Sequence, residues 1–227
     1  MSVSEKAKPA GTRVRRTQAE RSDSMRRKLV DAALHCLAED GYAGITIARV
    51  VARAKVSHGA TGHHFPSKSQ LIVAAAETLV RRTYRVMGEL LLGIVDEDDR
   101  LEALVRGSWE RIYSRPPMRA YLELSIASQR DPALAAALLS LSQRTEELFE
   151  NAVDHYFERR TPQAEDPRSL FTLLELLLVG LSSQAHLLKD KRMIEHQLAV
   201  WTRLMGQHLR ARRGVTSAPP RPPAWER

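Results

Sequence analysis

A single cysteine, Cys36, leaves this 227-residue chain with no internal disulfide, and the compartment expected for it is a reducing cytoplasm. Cys36 sits in a helical pattern beside Ala33 and Leu37, so a buried apolar role is expected of it rather than redox sensing. Aromatic residues are scarce, at 5%, and glycine and proline number only 11 each. So few turn formers and β-favouring side chains, among abundant Ala, Leu, Glu and Arg, point to an all-α protein. Long uncharged apolar runs are missing too. The richest stretch, Ser169 to Leu188, contains Glu175, Gln184 and His186 and reads as a buried helix, not a membrane span. The start of the chain is charged with no apolar stretch behind it, so no secretory signal is expected. The sequence also lacks a glycine-rich phosphate loop, a metal-spaced cluster and a nucleophile motif. No catalytic residue, metal or cofactor is therefore assigned, and an enzyme is not expected.

Charge is unevenly placed. The formal total is +8, yet residues 1–28 alone carry +6 and residues 209–227 carry +4, leaving the middle slightly acidic. The N-terminal arm, with Arg13, Arg15 and Arg16, has no apolar periodicity and is expected to be flexible over residues 1–21. Such an arm running into a DNA-reading motif supplies phosphate contacts. The Pro-rich residues 214–227 are expected to be a disordered tail.

Helical patterns fill the interval. A first helix is predicted over about Ser22–Asp40, ending at Gly41, with Leu29, Ala33 and Leu37 facing inward. Thr46 can cap a second helix whose apolar positions are Ile47, Val50 and Val51. Ala54-Lys55-Val56 forms a tight turn, and Ser57 can cap a third helix running to Phe65. Two helices joined so tightly must cross steeply, which suits insertion of the second into a DNA major groove. Ser67 and Gln70 fit a capping box for a long fourth helix, with Gly93 breaking its pattern and Asp96 or Asp98 restarting one. Five further helices follow: one to Pro116, then about Pro117–Ser128, Pro132–Arg159, Pro167–Lys189 and Lys191–Arg213. That makes a three-helix head over residues 22–66, with the helix-turn-helix at about 46–65, and a six-helix body over 67–213.

These residues resemble the tetracycline-repressor (TetR) family of bacterial transcription regulators. The likeness lies in Leu29–Ile47, in Val51–Lys68 with its Val-Ser turn and His-Phe-x-x-Lys ending, and in the following Ser-Gln-Leu. The resemblance implies DNA contacts by Thr46 and Ser57 at the helix starts. It implies groove contacts by His58, Ala60 and His63, and contacts to the DNA backbone by His64 and Lys68. Thr61 joins them for its hydroxyl and methyl, unless it faces the core. The histidines form no metal face, because His63 and His64 fall about 140° and 240° round a helix from His58. Three residues depart from the family pattern: Gly62 replaces the usual aromatic, Lys55 the usual turn glycine, and Ala48 a frequent polar contact.

The resemblance further implies a homodimer through the last two helices, reading a palindromic double-stranded operator, and an unknown small-molecule effector. Its pocket would lie among the fifth to eighth helices, lined by Trp109, Tyr113, Tyr121, Phe149, Phe171, Gln184 and His186. A repressor released by its effector is the leading expectation. An activator or ligand-independent regulator with the same head is the alternative.

Overall fold

The computed structural model describes residues 17–94, 99–188 and 190–220, and 78% of it is helix. Among the described residues there are nine α-helices and one two-stranded sheet. No helix there is long and apolar enough to cross a membrane.

Helix α1 (Gln18–Gly44) begins earlier than the periodicity suggests. Thr17 accepts from the Glu20 amide, and the Glu20 carboxylate accepts from the Thr17 amide, so a reciprocal box starts the helix. Residues 18–21 therefore belong to the helix, not to the basic arm. Arg13, Arg15 and Arg16 lie outside the described residues. The buried face of α1 carries Leu29, Ala33, Cys36 and Leu37, and burial pushes the Cys36 thiol above its usual range. Gly41 kinks the helix with φ 70° and ψ 175°.

Helices α2 (Ile47–Ala54) and α3 (His58–His64) follow, joined through Lys55 in the left-handed conformation at φ 55°. That backbone costs a non-glycine residue about 1 kcal/mol. The Lys55 amide meets the Ala52 and Val51 carbonyls, which closes the end of α2. Helix α4 (Lys68–Gly93) starts at Ser67, whose hydroxyl accepts from the Gln70 amide, the one arm of the predicted box that forms.

Helix α5 (Arg100–Ser108) passes into a π-helical segment at Trp109–Tyr113. Its N-cap is Asp99, while Asp96 and Asp98 lie outside the described residues. Helix α6 (Pro116–Ser128) is followed by α7 (Pro132–Tyr156), which Asp131 caps through the Leu134 amide at 3.0 Å. Helix α8 covers Pro167–Gln184 and α9 covers Lys191–His208.

Three of the predicted helix ends are too long. Strand β1 (Phe157–Arg159) replaces the last turn expected of α7. Strand β2 (Leu209–Ala211) replaces that of α9, and the two pair antiparallel with Glu158 opposite Arg210. Helical periodicity at Phe157 and Leu209 suited either structure, because both side chains are buried. Helix α8 stops at Gln184 and a turn takes the chain through Leu187.

The start of the Pro-rich tail is also tied down, against expectation. The buried Arg100 guanidinium lies over the Tyr156 ring and donates to the Val215 carbonyl at 2.7 Å. The Tyr156 hydroxyl donates to the Ser217 carbonyl at 3.0 Å. Residues 221–227 lie outside the described residues.

Two apolar cores result. One joins α1–α4 to Ala120 and Leu124 of α6 and to Leu134 and Leu141 of α7. The other runs from the far end of α4 through α5, α7, α8 and α9 to Leu209. The first three helices thus share a core with the body rather than forming an isolated unit. Each fully buried leucine contributes about 1.5–3 kcal/mol, so this shared packing fixes the head on the body.

Candidate functional site

The reading head is built by α1, α2 and α3. Val50 and Val51 bury the inner face of α2. The Thr46 hydroxyl caps the helix by accepting from the Arg49 amide at 3.2 Å. Arg49 reaches Asp40 at 2.6 Å and Arg53 pairs with Glu39, which ties α2 to α1 along its exposed side. Ser57 occupies the N-cap of α3, but its side chain makes no capping hydrogen bond. Its hydroxyl thus does not do the local work the sequence suggested.

Helix α3 presents Gly59, Gly62 and His63 to solvent, with His64 half-buried and Phe65 buried behind them. His58 and Ala60 stand in its first turn. A Cβ at Gly59 or Gly62 would meet nothing within 4 Å, so this surface is open. Ala48 is exposed on α2. The missing aromatic at position 62 therefore leaves free space, not a packing defect.

Thr61 faces the other way. It is 2% exposed, and its Oγ1 has no hydrogen-bond partner among the described residues. The groove contact expected of it is corrected: spacing from Phe65 puts Thr61 on the core side of α3. An unpaired buried hydroxyl destabilises, so Thr61→Val is expected to add about 1 kcal/mol of stability. Thermal unfolding should show a rise of about 2–4 °C, with DNA affinity unchanged. A tenfold loss of affinity in a well-folded variant would restore the groove-facing role.

Tyr42 joins the head to the body. Its amide donates to Glu123 Oε2 of α6 at 2.8 Å, and its hydroxyl donates to Asp131 Oδ2 at 2.7 Å. Burial, and then the Asp131 hydrogen bond, push the phenol up to about 12. Lys68 lies over the Tyr42 ring at 5.0 Å and donates to the Tyr42 carbonyl at 3.4 Å. It is half-buried and engaged within the protein, while still at the start of α4 beside the head.

Between head and body lies a cavity of about 550 Å³. Leu34 and His35 of α1, Tyr84 of α4, Tyr121 of α6, Leu138 of α7 and Glu175 of α8 mark its walls. A smaller space of about 110 Å³, with Phe149 and Phe171, adjoins it and shares Tyr84, Tyr113 and Glu175. Tyr113 and Tyr121 line the main cavity, while Phe149 and Phe171 line the smaller one, packed edge-to-face at 6.4 Å.

Three expected lining residues are corrected. Trp109 packs against the second core, while Gln184 and His186 are exposed at and beyond the end of α8, and none of the three lines either cavity. The enclosing helices are also corrected, because α1 and α4 supply walls that the expected fifth-to-eighth set omitted. Glu175 and Tyr84 were missed. The available signal was an acid within the most apolar helical run of the chain, where a charge needs a reason.

Glu175 is exposed on the single chain where it lines the cavity, yet the surrounding protein raises its carboxyl above the ordinary glutamate range by desolvation. The folded chain then holds this proton to higher pH than the unfolded chain does. Stability is lost as pH rises from the unfolded pKa through the folded one. Glu175→Gln is expected to melt higher than the parent at neutral pH and to show a flatter decline from acid to neutral pH. Identical melting curves for the two proteins at every pH would contradict this.

Residues 29–75 match the model for bacterial regulatory proteins of the tetR family. The HTH-type transcriptional regulator CymR of Pseudomonas putida is 33% identical over 80% of this chain and 89% of its own length. Among solved structures, a Saccharomonospora viridis protein described as a transcriptional regulator, in complex with choline, superposes with TM-score 0.64. It is 20% identical, covering 84% of this chain and 100% of its own. The multidrug binding protein EbrR, complexed with imidazole, superposes with TM-score 0.55 at 25% identity, covering 79% of this chain and 93% of its own.

Proposed function

The chain belongs to the TetR family of bacterial transcription regulators, which bind DNA through an N-terminal helix-turn-helix, and from that premise we propose that it is a ligand-released dimeric repressor. The observation that carries the reading is the cavity between head and body. Asp31, Leu34, His35 and Ala38 of α1 form part of its wall, so a molecule bound there touches the first helix of the reading head itself. Ligand and DNA can then be coupled if the ligand prefers a head position that the operator does not accept. The choline and imidazole held by the two structural neighbours support a small-molecule site of this kind.

In this reading residues 22–66 read DNA and residues 67–213 bind ligand and partner. Helix α3 enters the major groove with His58, Ala60 and His63 toward the bases. Thr46, Ser57, His64 and Lys68 meet phosphates, as do Arg13, Arg15 and Arg16 of the arm. Lys68 must exchange its Tyr42 contacts for a phosphate in doing so. The dimer forms through α8 and α9, whose outer faces leave Leu173, Leu176, Met193 and Leu204 exposed on the single chain. Two heads then address half-sites about 34 Å apart, one helical turn, on a palindromic operator.

Selection of bound sequences from random DNA tests the reading. A two-fold symmetric site is expected, with affinity falling steeply as salt rises. Recovery of an asymmetric single site, or no enrichment, would defeat the dimeric operator. Retention of the operator complex at saturating ligand would defeat the release step.

A further inference from the structure

Glu175 has a place in the cavity that ordinary core packing does not explain. It is carried by α8, whose Leu170, Phe171, Leu174 and Leu178 are buried; Glu175 itself is exposed on the single chain and lines the space shared by both cavities. Among the described residues no side chain makes a hydrogen bond or ion pair to its carboxylate. The phenols of Tyr84, Tyr113 and Tyr121 stand around the same space, and all three feel its charge. The Tyr84 hydroxyl donates to the Thr145 carbonyl at 3.2 Å.

The cations at the rim do not neutralise this carboxylate. Arg82 pairs with Asp31, Arg111 with Glu89 at 3.4 Å, and Arg115 Nε donates to the Glu110 carbonyl at 2.7 Å. Arg82 and Arg111 are also about half exposed, with side-chain accessibilities of 50% and 42%. His35 is exposed on α1 at the same mouth. None of these groups offsets the desolvation that Glu175 suffers, for burial is the sole influence resolved on its carboxyl. The inner cavity therefore combines one uncompensated negative charge, aromatic faces and apolar walls.

We propose that this cavity selects a small organic cation, an amine or quaternary ammonium with apolar substituents, with Glu175 as its counter-charge and Tyr84, Tyr113 and Tyr121 as its aromatic wall. Aromatic faces attract cations through the ring quadrupole, most strongly where water is excluded. A cation repays the desolvation of Glu175, which an anion would worsen and a neutral ligand would leave in place. The volume of about 550 Å³ lies in the range of pockets for drug-sized molecules. This inference rests on the reading of the cavity as the effector site and names the class of its ligand.

The test is titration calorimetry on the full chain with two probe cations, benzyltrimethylammonium and tetrapropylammonium, and the anion 4-phenylbutanoate. Each is run on the parent and on Glu175→Gln, which keeps the side chain's shape and removes its charge. Both proteins are checked by thermal melting for folding. At least one cation is expected to bind the parent roughly tenfold or more tightly than the Gln variant, while the anion shows no such loss. Failure of both cations to bind, equal cation affinity in the two proteins, or tighter binding of the anion by the parent overturns the proposal. Release of a bound operator is measured separately. Glu175-dependent cation binding without release keeps the ligand class and removes the effector role. Release by the anion alone keeps the effector role and removes the ligand class.

Discussion

Leu176→Arg is expected to split the dimer and to lower operator affinity by about 100-fold or more. Leu176 is 63% exposed on the single chain, and Leu173 beside it is 49% exposed, although both lie on a helix whose opposite face is core. Met193 and Leu204 lie on nearly one line of α9, at 43% and 44% exposure. Four large apolar side chains left to solvent on adjacent helices are unusual for a monomer surface and ordinary for an interface. A two-fold interface places the same patch on both subunits, so in the proposed α8–α9 seam one substitution introduces two guanidinium groups. Burying an unpaired charge costs several kcal/mol, and each 1.4 kcal/mol is tenfold in association. The monomer loses nothing comparable, because substitutions at exposed positions shift stability by about 0.5 kcal/mol or less. Sedimentation equilibrium and fluorescence anisotropy on operator DNA check the two halves separately. A variant that stays dimeric at micromolar concentration would place the seam elsewhere.

Most helix starts and the tight turn of the head were legible in the sequence because their signals are local. Thr46, Ser67 and Asp131 each stand at the helix start their side chains suggest, and Lys55 stands in the tight turn expected around it, although in a conformation that glycine would take more easily. Gly41 marked a helix break correctly, although the helical hydrogen bonding resumes to Gly44. What local pattern could not carry was pairing between distant segments. Strands β1 and β2 are 52 residues apart where Glu158 faces Arg210, and each is only three residues long. The Arg100 anchor of the tail spans a still larger separation, reaching Val215. The cavity was legible in part for the same reason. The family resemblance put Tyr113 and Tyr121 among the lining candidates, but only the packing of α8 against α6 and α7 reveals which side of its apolar run Glu175 faces. Thr61 could face either groove or core on its chemistry, and the burial of Phe65 one turn later decides it.

Gly41→Ala carries the second large effect, because this glycine sits where the head is locked to α6. Its φ of 70° with ψ of 175° belongs to a region open essentially to glycine alone. A Cβ there would also stand 2.8 Å from Glu123 Oε2, the oxygen that accepts from the Tyr42 amide. Alanine must therefore either strain the backbone or displace that carboxylate and leave the Tyr42 amide without its acceptor. Backbone strain of this kind costs about 1–3 kcal/mol, and a lost hydrogen bond to a charged group about 1.5–3 kcal/mol. A loss near 3 kcal/mol allows for partial relaxation and corresponds to a fall in melting temperature of about 6–12 °C for a chain of this size. The disturbance should spread to Asp131, which accepts from the Tyr42 hydroxyl and from the Leu134 amide at the start of α7. Hydrogen exchange at the first turn of α7 should quicken along with that of Tyr42. Gly59→Ala is the internal comparison. Its Cβ meets nothing within 4 Å, and helix propensity alone should raise stability by about 1 kcal/mol. If Gly41→Ala melts within about 1 °C of the parent, then the joint yields without strain. The angle between head and body would then be held by Tyr42 and the shared core, not by the backbone at position 41.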